Sequence, residues 1–190
     1  MAFKDTDINI CSRAMNAIGA DSITSFSEGT TEAKVANQKY EICKQKLLSI
    51  YPWAFNRAEI FVPRLPNNRE TKFTYIYEKP EDCLNVRAVK ENGIPVDYSF
   101  DLGKINTNAE KPILVYSADY QEKDMPAYFV ALLIDLCARD FLIPVTGKYD
   151  EYKMYDNIYQ NSLAEAKNVD AKSKTCLLYT SDAADEARSV

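Results

Sequence analysis

The most constraining feature of this sequence is a long, almost wholly apolar segment at residues 125–143. Its apolar residues recur at helical spacing on two faces, which predicts a helix buried around most of its circumference. Asp124 is a suitable N-cap, Pro126 is tolerated in a first turn, and Pro144 should end the helix. Asp135 and other charged residues interrupt the segment well short of the ~20 apolar residues that a membrane span needs. We therefore expect this helix at the centre of a helical core.

Composition narrows the class of protein. The chain has 190 residues, a net charge of −5 and no histidine. Without histidine the chain lacks Ser-His-Asp and Cys-His nucleophiles and the commonest metal ligand, and its cysteines form no C-x-x-C pair. We therefore expect no catalytic residues, no metal and no cofactor, and buried free thiols. The net charge argues against bulk attraction to nucleic acid or membranes, and the N-terminus lacks the apolar region of a signal peptide, so we expect synthesis in the cytoplasm.

Three further segments have helical periodicity. A first helix should end at Gly19, a second begins around residues 29–31, and a last one follows Gly147. With the central helix they predict a four-helix core formed by residues 1–55 and 118–170. The second helix carries an apolar seam spaced 3-4-3-4-3. The residues of this seam are Ala33, Ala36, Tyr40, Cys43, Leu47 and Ile50.

Between the two helix pairs the periodicity changes from helical to alternating. Residues 57–62, 71–77 and 84–89 read as strands, and Asn92-Gly93 is the strongest hairpin dipeptide because both residues accept a positive φ. We expect residues 56–117 to form an inserted antiparallel sheet of five or six short strands joined as a meander. The predicted fold class is therefore α+β.

The last helix carries a row of tyrosines that is the best candidate for a contact surface. Its members are Tyr149, Tyr152, Tyr155 and Tyr159. A core-facing row and a protein–protein interface are equally consistent with this spacing, because tyrosine has an apolar body and a polar tip and is enriched at interfaces.

Charged residues offer three further interpretations. Asp135 and Arg139 lie four residues apart, which favours an ion pair over a functional carboxylate pair. Glu78 and Glu81 are the candidate pair for a carboxylate-dependent cell-wall hydrolase. Basic residues near aromatic ones also allow a small nucleic-acid-binding module, although their alternation with acids favours a solvated sheet face. These basic residues are Arg57, Arg64, Arg69, Lys72, Lys79, Arg87 and Lys90.

The C-terminal segment differs from the rest in composition. Residues 176–186 read Cys-Leu-Leu-Tyr-Thr-Ser-Asp-Ala-Ala-Asp-Glu and look like the translation of a transposon-based sequencing adapter. We exclude this segment from the fold argument and expect residues 171–190 to form a disordered tail. On this interpretation the authentic C-terminus is missing.

Five motifs, in this order along the chain, resemble the phage tail tubular protein A family, the head-to-tail connector adaptors of short-tailed phages. They are Ile10-Cys-Ser-Arg-Ala-Met-Asn-Ala-Ile-Gly19, Ile23-Thr-Ser-Phe-Ser-Glu-Gly-Thr30, Tyr51-Pro-Trp-Ala-Phe55, Tyr77-Glu-Lys-Pro-Glu-Asp-Cys-Leu84 and Tyr128-Phe-Val-Ala-Leu-Leu-Ile-Asp-Leu-Cys-Ala138. Together they extend over nearly all of residues 5–170.

This resemblance implies a non-enzymatic virion protein of the phage neck. Such a subunit joins portal protein to tail nozzle protein in a ring, commonly twelve-fold, and lines the DNA exit channel. DNA passes through the ring without specific binding, so we expect acidic or neutral side chains to face the bore. The family's C-terminal segment helps to dock the portal ring, and here adapter-like sequence stands in its place.

Overall fold

The computed structural model describes residues 5–67 and 72–186, with side chains for residues 5–67 and 72–173. Four α-helices and eight strands in this part of the chain confirm the α+β class. The helices are α1 (Asp7–Ala17), α2 (Thr31–Ile50), α3 (Ala127–Thr146) and α4 (Tyr152–Glu186), with a 3-10 turn at Glu122–Asp124. The strands are β1 (Arg57–Phe61), β2 (Arg64–Leu65), β3 (Tyr75–Glu78), β4 (Cys83–Glu91), β5 (Ile94–Pro95), β6 (Tyr98–Asp101), β7 (Lys104–Thr107) and β8 (Ile113–Ala118).

The chain divides into two compact units. The helical unit contains the described residues up to Leu47 and those from Tyr120 onward, and the β unit is Leu48–Asp119. The sequence placed the corresponding boundaries at residues 55 and 118.

Helix α3 is the buried centre of the helical unit, as its two apolar faces predicted. The side chains that it buries are Phe129, Val130, Leu132, Leu133, Ile134, Leu136, Cys137, Ala138, Arg139, Phe141 and Leu142. Its N-terminus differs from the prediction, because Asp124 lies in the 3-10 turn and Pro126 occupies the N-cap position without a side-chain cap.

Pro144 does not end α3, which corrects the prediction. The helix continues to Thr146 and stops at Gly147, whose φ is +69°. Pro144 has no N–H to donate to Asp140 O four residues earlier, so α3 lacks that one hydrogen bond in its last turn. The turn is closed by Gly147 N, which donates to Ile143 O at 2.9 Å, and by Thr146 Oγ1, which donates to Leu142 O at 2.7 Å.

Helix α1 has the predicted glycine terminus. Gly19 has a φ of +74°, and Ala20 N donates to Met15 O at 3.0 Å, which closes the helix end as a Schellman motif. At the other end Thr6 Oγ1 accepts from Asn9 N at 3.3 Å and caps the helix.

The members of the predicted α2 seam from Ala33 to Leu47 are buried, but the prediction is wrong for the last member, Ile50. Ile50 is 42 % exposed, whereas Leu48 is fully buried. The final turn of α2 belongs to the β unit. Its burial is therefore set by packing in that unit, which the heptad spacing of the preceding turns does not specify.

The β unit contains two antiparallel sheets and not the single meander that the sequence predicted. Their strand orders are β1-β8-β4-β5 and β2-β3-β7-β6. The alternating segments were recognised correctly as strands, but alternation does not specify which strands pair. The predicted strand 71–77 is also shorter, since β3 starts at Tyr75 and residue 71 lies outside the described residues.

One apolar core lies between the two sheets. It includes Tyr77 and Ile105 from the second sheet with Val89, Leu114 and Tyr116 from the first. The two sheets therefore face each other, and the chain passes from one to the other four times, at β1–β2, β3–β4, β5–β6 and β7–β8.

Two tight hairpin turns have a positive φ at both loop residues. Asn92 and Gly93 form the predicted turn between β4 and β5, with φ values of +51° and +80°. Leu102 and Gly103 form an equivalent turn between β6 and β7, with φ values of +48° and +72°. Leu102 is 73 % exposed, so a bulky apolar residue occupies an unfavourable backbone conformation without gaining burial.

Helix α4 extends further than expected. It is helical through Glu186 and so includes residues 171–186 of the predicted tail. The origin of residues 176–186 in a sequencing adapter stays a prediction.

We expect Leu102→Asn to stabilise the protein by about 0.5–1 kcal/mol, because asparagine tolerates the left-handed region better than leucine. Urea denaturation measures the change. Leu102→Ala is the matched control, since alanine has the same Cβ but no polar side chain that can hydrogen-bond locally, and it should give no comparable gain. Equal stabilisation by the two variants would contradict the role of the backbone conformation.

Candidate functional site

The four candidate tyrosines do not form one uniform surface. Tyr149 precedes α4 and is 72 % exposed, and Tyr152 at the start of the helix is also exposed. Tyr155 donates its hydroxyl to Ala17 O at 2.7 Å and joins α4 to the end of α1. Tyr159 is buried. The two interpretations of this row therefore apply to different members: Tyr149 and Tyr152 are available for contacts, whereas Tyr155 and Tyr159 are engaged within the helical unit.

Tyr159 packs against a buried arginine. The Arg139 guanidinium lies 4.5 Å from the centre of the Tyr159 ring, within the range of a cation–π contact. Burial raises the pKa of Tyr159; the charge of Arg139 opposes this effect and the carboxylates of Asp140 and Asp156 add to it. The phenol therefore stays neutral at physiological pH.

Arg139 forms its ion pairs with carboxylates that the i, i+4 spacing did not identify. Arg139 Nη2 lies 2.7 Å from Asp140 Oδ1, and Nη1 lies 3.0 Å from Asp156 Oδ1 on α4. Burial by itself lowers the pKa of Arg139, but the hydrogen bonds and charges of these carboxylates outweigh burial and raise it. The predicted partner Asp135 instead accepts a hydrogen bond from Ser162. The cluster joins α3 to α4, which is a structural function.

Tyr159→Ala should destabilise the protein by about 3 kcal/mol, because it removes a buried aromatic side chain and leaves a cavity. Tyr149→Ala should change the free energy of unfolding by less than about 0.5 kcal/mol, since the side chain is exposed. Chemical denaturation of both variants measures the difference. Similar losses in the two variants would show that Tyr149 also contributes to the fold.

The candidate hydrolase pair lacks the environment of catalytic carboxylates. Glu78 ends β3, Glu81 lies in the turn before β4, and both side chains are exposed. A carboxylic acid that protonates a leaving group needs an environment such as an apolar pocket to raise its pKa. The neighbouring cleft of about 260 Å³ is lined by residues of β4 and β6 and by Lys79, and neither glutamate lines it.

Most basic residues of the strand region have partners within the β unit. Arg57 and Lys90 both pair with Glu59, Lys90 at 3.4 Å, and the Arg64 guanidinium lies 3.9 Å from the centre of the Tyr75 ring. Arg69 lies outside the described residues. The pairing with acids and aromatic rings supports the interpretation of a structured sheet face over that of a phosphate-binding strip.

Arg87 has a role that the sequence did not reveal. Its Nε donates to Ser117 Oγ at 2.8 Å, and its Nη2 donates to Trp53 O at 2.8 Å and to Asn56 Oδ1 at 2.6 Å. Trp53, the centre of the Tyr51-Pro-Trp-Ala-Phe55 motif, is fully buried. Alternation alone predicted that Arg87 is a solvated basic residue. No local sequence pattern shows which basic residue binds groups that are distant in the chain.

The four cysteines whose side chains the structure describes are free and buried, as predicted. These are Cys11, Cys43, Cys83 and Cys137. Burial is the main cause of the raised pKa of Cys11 and of Cys137. Both thiols therefore stay protonated. Among the residues that the structure describes, no group of three or more Cys, Asp or Glu side chains is arranged to hold a metal ion. No helix of the described chain has the length and apolar character needed to cross a membrane.

Large apolar side chains are exposed on both units. In the helical unit they include Tyr149, Met154 and Ile158, of which Met154 and Ile158 lie one turn apart on α4. In the β unit they are Ile50, Ile60, Phe61, Ile94, Phe100 and Leu102. Neighbouring exposed apolar side chains such as Met154 and Ile158 are typical of protein–protein contact surfaces.

No protein-family model matches this chain, and the comparison with curated proteins likewise gives no match.

Proposed function

We propose that this chain is a structural adaptor subunit of a phage head-to-tail connector ring. In this role it joins portal protein to the tail nozzle, associates with copies of itself, commonly twelve, and lines the channel through which DNA leaves. The protein is then a component of the virion neck that is made in the host cytoplasm and works without a cofactor. The five motifs that resemble the tail tubular protein A family support the proposal.

The observation that carries the proposal is the distribution of exposed apolar side chains over both units. A ring subunit contacts two neighbouring copies and a protein on each side of the ring, so it needs several separate contact surfaces. Met154 and Ile158 on α4 offer one, and the apolar residues at the strand ends of the β unit offer others. The net charge of −5 suits a channel through which DNA must slide, because affinity for the phosphate backbone grows with each cation engaged.

Neither alternative function has an observation that favours it. The exposed positions of Glu78 and Glu81 do not resemble a catalytic pair, and the described bases are largely engaged with acids and aromatic rings. A cell-wall hydrolase would clear peptidoglycan and lose this activity in Glu78→Gln/Glu81→Gln. A nucleic-acid-binding module would bind DNA as a monomer with a strong dependence on salt.

We expect Met154→Lys/Ile158→Lys to reduce ring formation with portal protein, because two charges would be placed in an apolar contact. Native mass spectrometry and negative-stain imaging, with and without portal protein, measure the assembly. Gln160→Lys is the matched control: it adds a charge to an exposed position elsewhere on α4 and should leave assembly unchanged.

Two results would count against these expectations. Rings that form equally well with the double variant would exclude this face of α4 as a contact surface. A chain whose authentic C-terminus has been restored and that still forms no ring in the presence of portal protein would overturn the proposed function.

A further inference from the structure

Two strands at the ends of their sheets leave core-facing apolar residues uncovered. β1 is the end strand of the first sheet and β6 is the end strand of the second. Ala58 on β1 and Tyr98 on β6 pack against the core of the β unit. Side chains alternate along a strand, so Ile60 and Phe100 lie on these same core-facing sides. They are nevertheless 37 % and 52 % exposed, and each lies on a strand that has a neighbouring strand on one side only in the described chain.

The uncovered side of β6 also borders open space. Tyr98 and Phe100 line a cleft of about 260 Å³ whose other wall is the first half of β4. β4 pairs with β5 only at Lys90 and Glu91, so this half of β4 has no hydrogen-bonded neighbour on that side. The cleft provides room for an apolar side chain such as an isoleucine beside Phe100.

We propose that β6 of one copy of this chain pairs with β1 of a second copy and continues the sheet across the subunit boundary. This inference rests on the proposed function, in which copies associate as a ring, and it identifies the surface that joins them. A strand edge with no neighbouring strand is a template for such pairing.

The two strands are complementary when they run antiparallel. Ala58 then lies opposite Phe100 and Ile60 opposite Tyr98, so that apolar residues meet on the core-facing side. On the outer side Arg57 lies opposite Asp101 and Glu59 opposite Ser99, so no like charges meet. Pairing of β1 with another β1 in the register that sets Ala58 opposite Ile60 would place Glu59 opposite Glu59, which is unfavourable.

The use of two different edges determines the kind of assembly. Each copy offers one β1 edge and one β6 edge. A row of paired copies therefore always has a free β1 edge at one end and a free β6 edge at the other. Such head-to-tail contacts close into rings or continue as filaments, whereas a self-complementary contact stops at a dimer.

Cysteine crosslinking of the full-length chain tests this pairing. Glu59→Cys and Ser99→Cys are prepared as separate variants in a Cys176→Ser background, because both positions point outward and are predicted to lie opposite each other. The two variants are mixed in a glutathione redox buffer with and without portal protein. A disulfide requires Cβ atoms about 3.5–4.5 Å apart, so its formation reports close strand pairing.

We expect the mixture to give a crosslinked dimer, while each variant alone gives little. The yield should exceed that of a control mixture of Gln38→Cys and Ser99→Cys by about tenfold or more, because only paired strands hold the thiols at high effective concentration. Gln38 is exposed on α2 in the helical unit and controls for random collision. The Glu59→Cys/Ser99→Cys double variant should give a ladder of crosslinked oligomers.

The outcomes separate this inference from the proposed function. Rings that assemble without the mixed crosslink, or a Glu59→Cys variant that crosslinks to itself as efficiently as the mixture, would overturn the strand pairing and leave the ring intact. Crosslinked filaments without rings would support the pairing and overturn the adaptor. No assembly and no crosslink would overturn both.

Discussion

Asn56 and Arg87 hold together the two ends of the β unit. Asn56 Nδ2 donates to Leu48 O and to Ala118 O, both at 3.2 Å, and Ala118 N donates to Asn56 O at 2.8 Å. Arg87 on β4 donates to Asn56 Oδ1 and to Trp53 O. These hydrogen bonds connect β4, an inner strand of the first sheet, to the same residues. These groups are largely removed from water, where a hydrogen bond is strong and an unpaired group is costly. Every buried side-chain nitrogen and oxygen in the described chain has a partner.

This arrangement solves the main difficulty of an insertion, which is to bring its distant ends together. Asn56 and Ala118, which bond to each other, are 62 positions apart in the chain. Closing a loop of that length costs conformational entropy. The hydrogen bonds fix the entry and exit of the chain at one place. Burial of Trp53 beside them adds apolar stabilisation there. The two sheets can then close on their common core, and β1 and β6 remain as open edges.

The sequence predicted features that depend on neighbouring residues and missed those that depend on distant ones. The burial of α3, the glycine end of α1 and the Asn92-Gly93 turn each follow from a short local pattern, and all three were correct. The ion pair of Arg139 with Asp156 and the pairing of strands into two sheets involve partners far away in the chain. Periodicity carries no information about such partners, because it describes one segment at a time.

The same limit explains the candidate contact residues. The spacing of the tyrosines could not separate Tyr149, which is exposed, from Tyr159, which packs under Arg139, because their burial is decided by α3. The exposed residues of β1 and β6 could not be recognised either, since alternation marks Ile60 and Phe100 as ordinary core positions. Their exposure becomes informative only when the strand order shows which edges lack a neighbour.

A contact made by two short strands is weak, and this property suits the proposed ring. β1 has five residues and β6 has four, so a single pairing forms few backbone hydrogen bonds and buries little apolar area. Each net hydrogen bond contributes only about 0.5–1.5 kcal/mol, and association of two free copies loses translational and rotational freedom. The last contact that closes a ring forms between copies already held together, so it adds stabilisation without that loss. In the proposed ring, weak edges would therefore favour a complete ring over partial chains, and portal protein, by gathering several copies, would lower the cost of the first contacts.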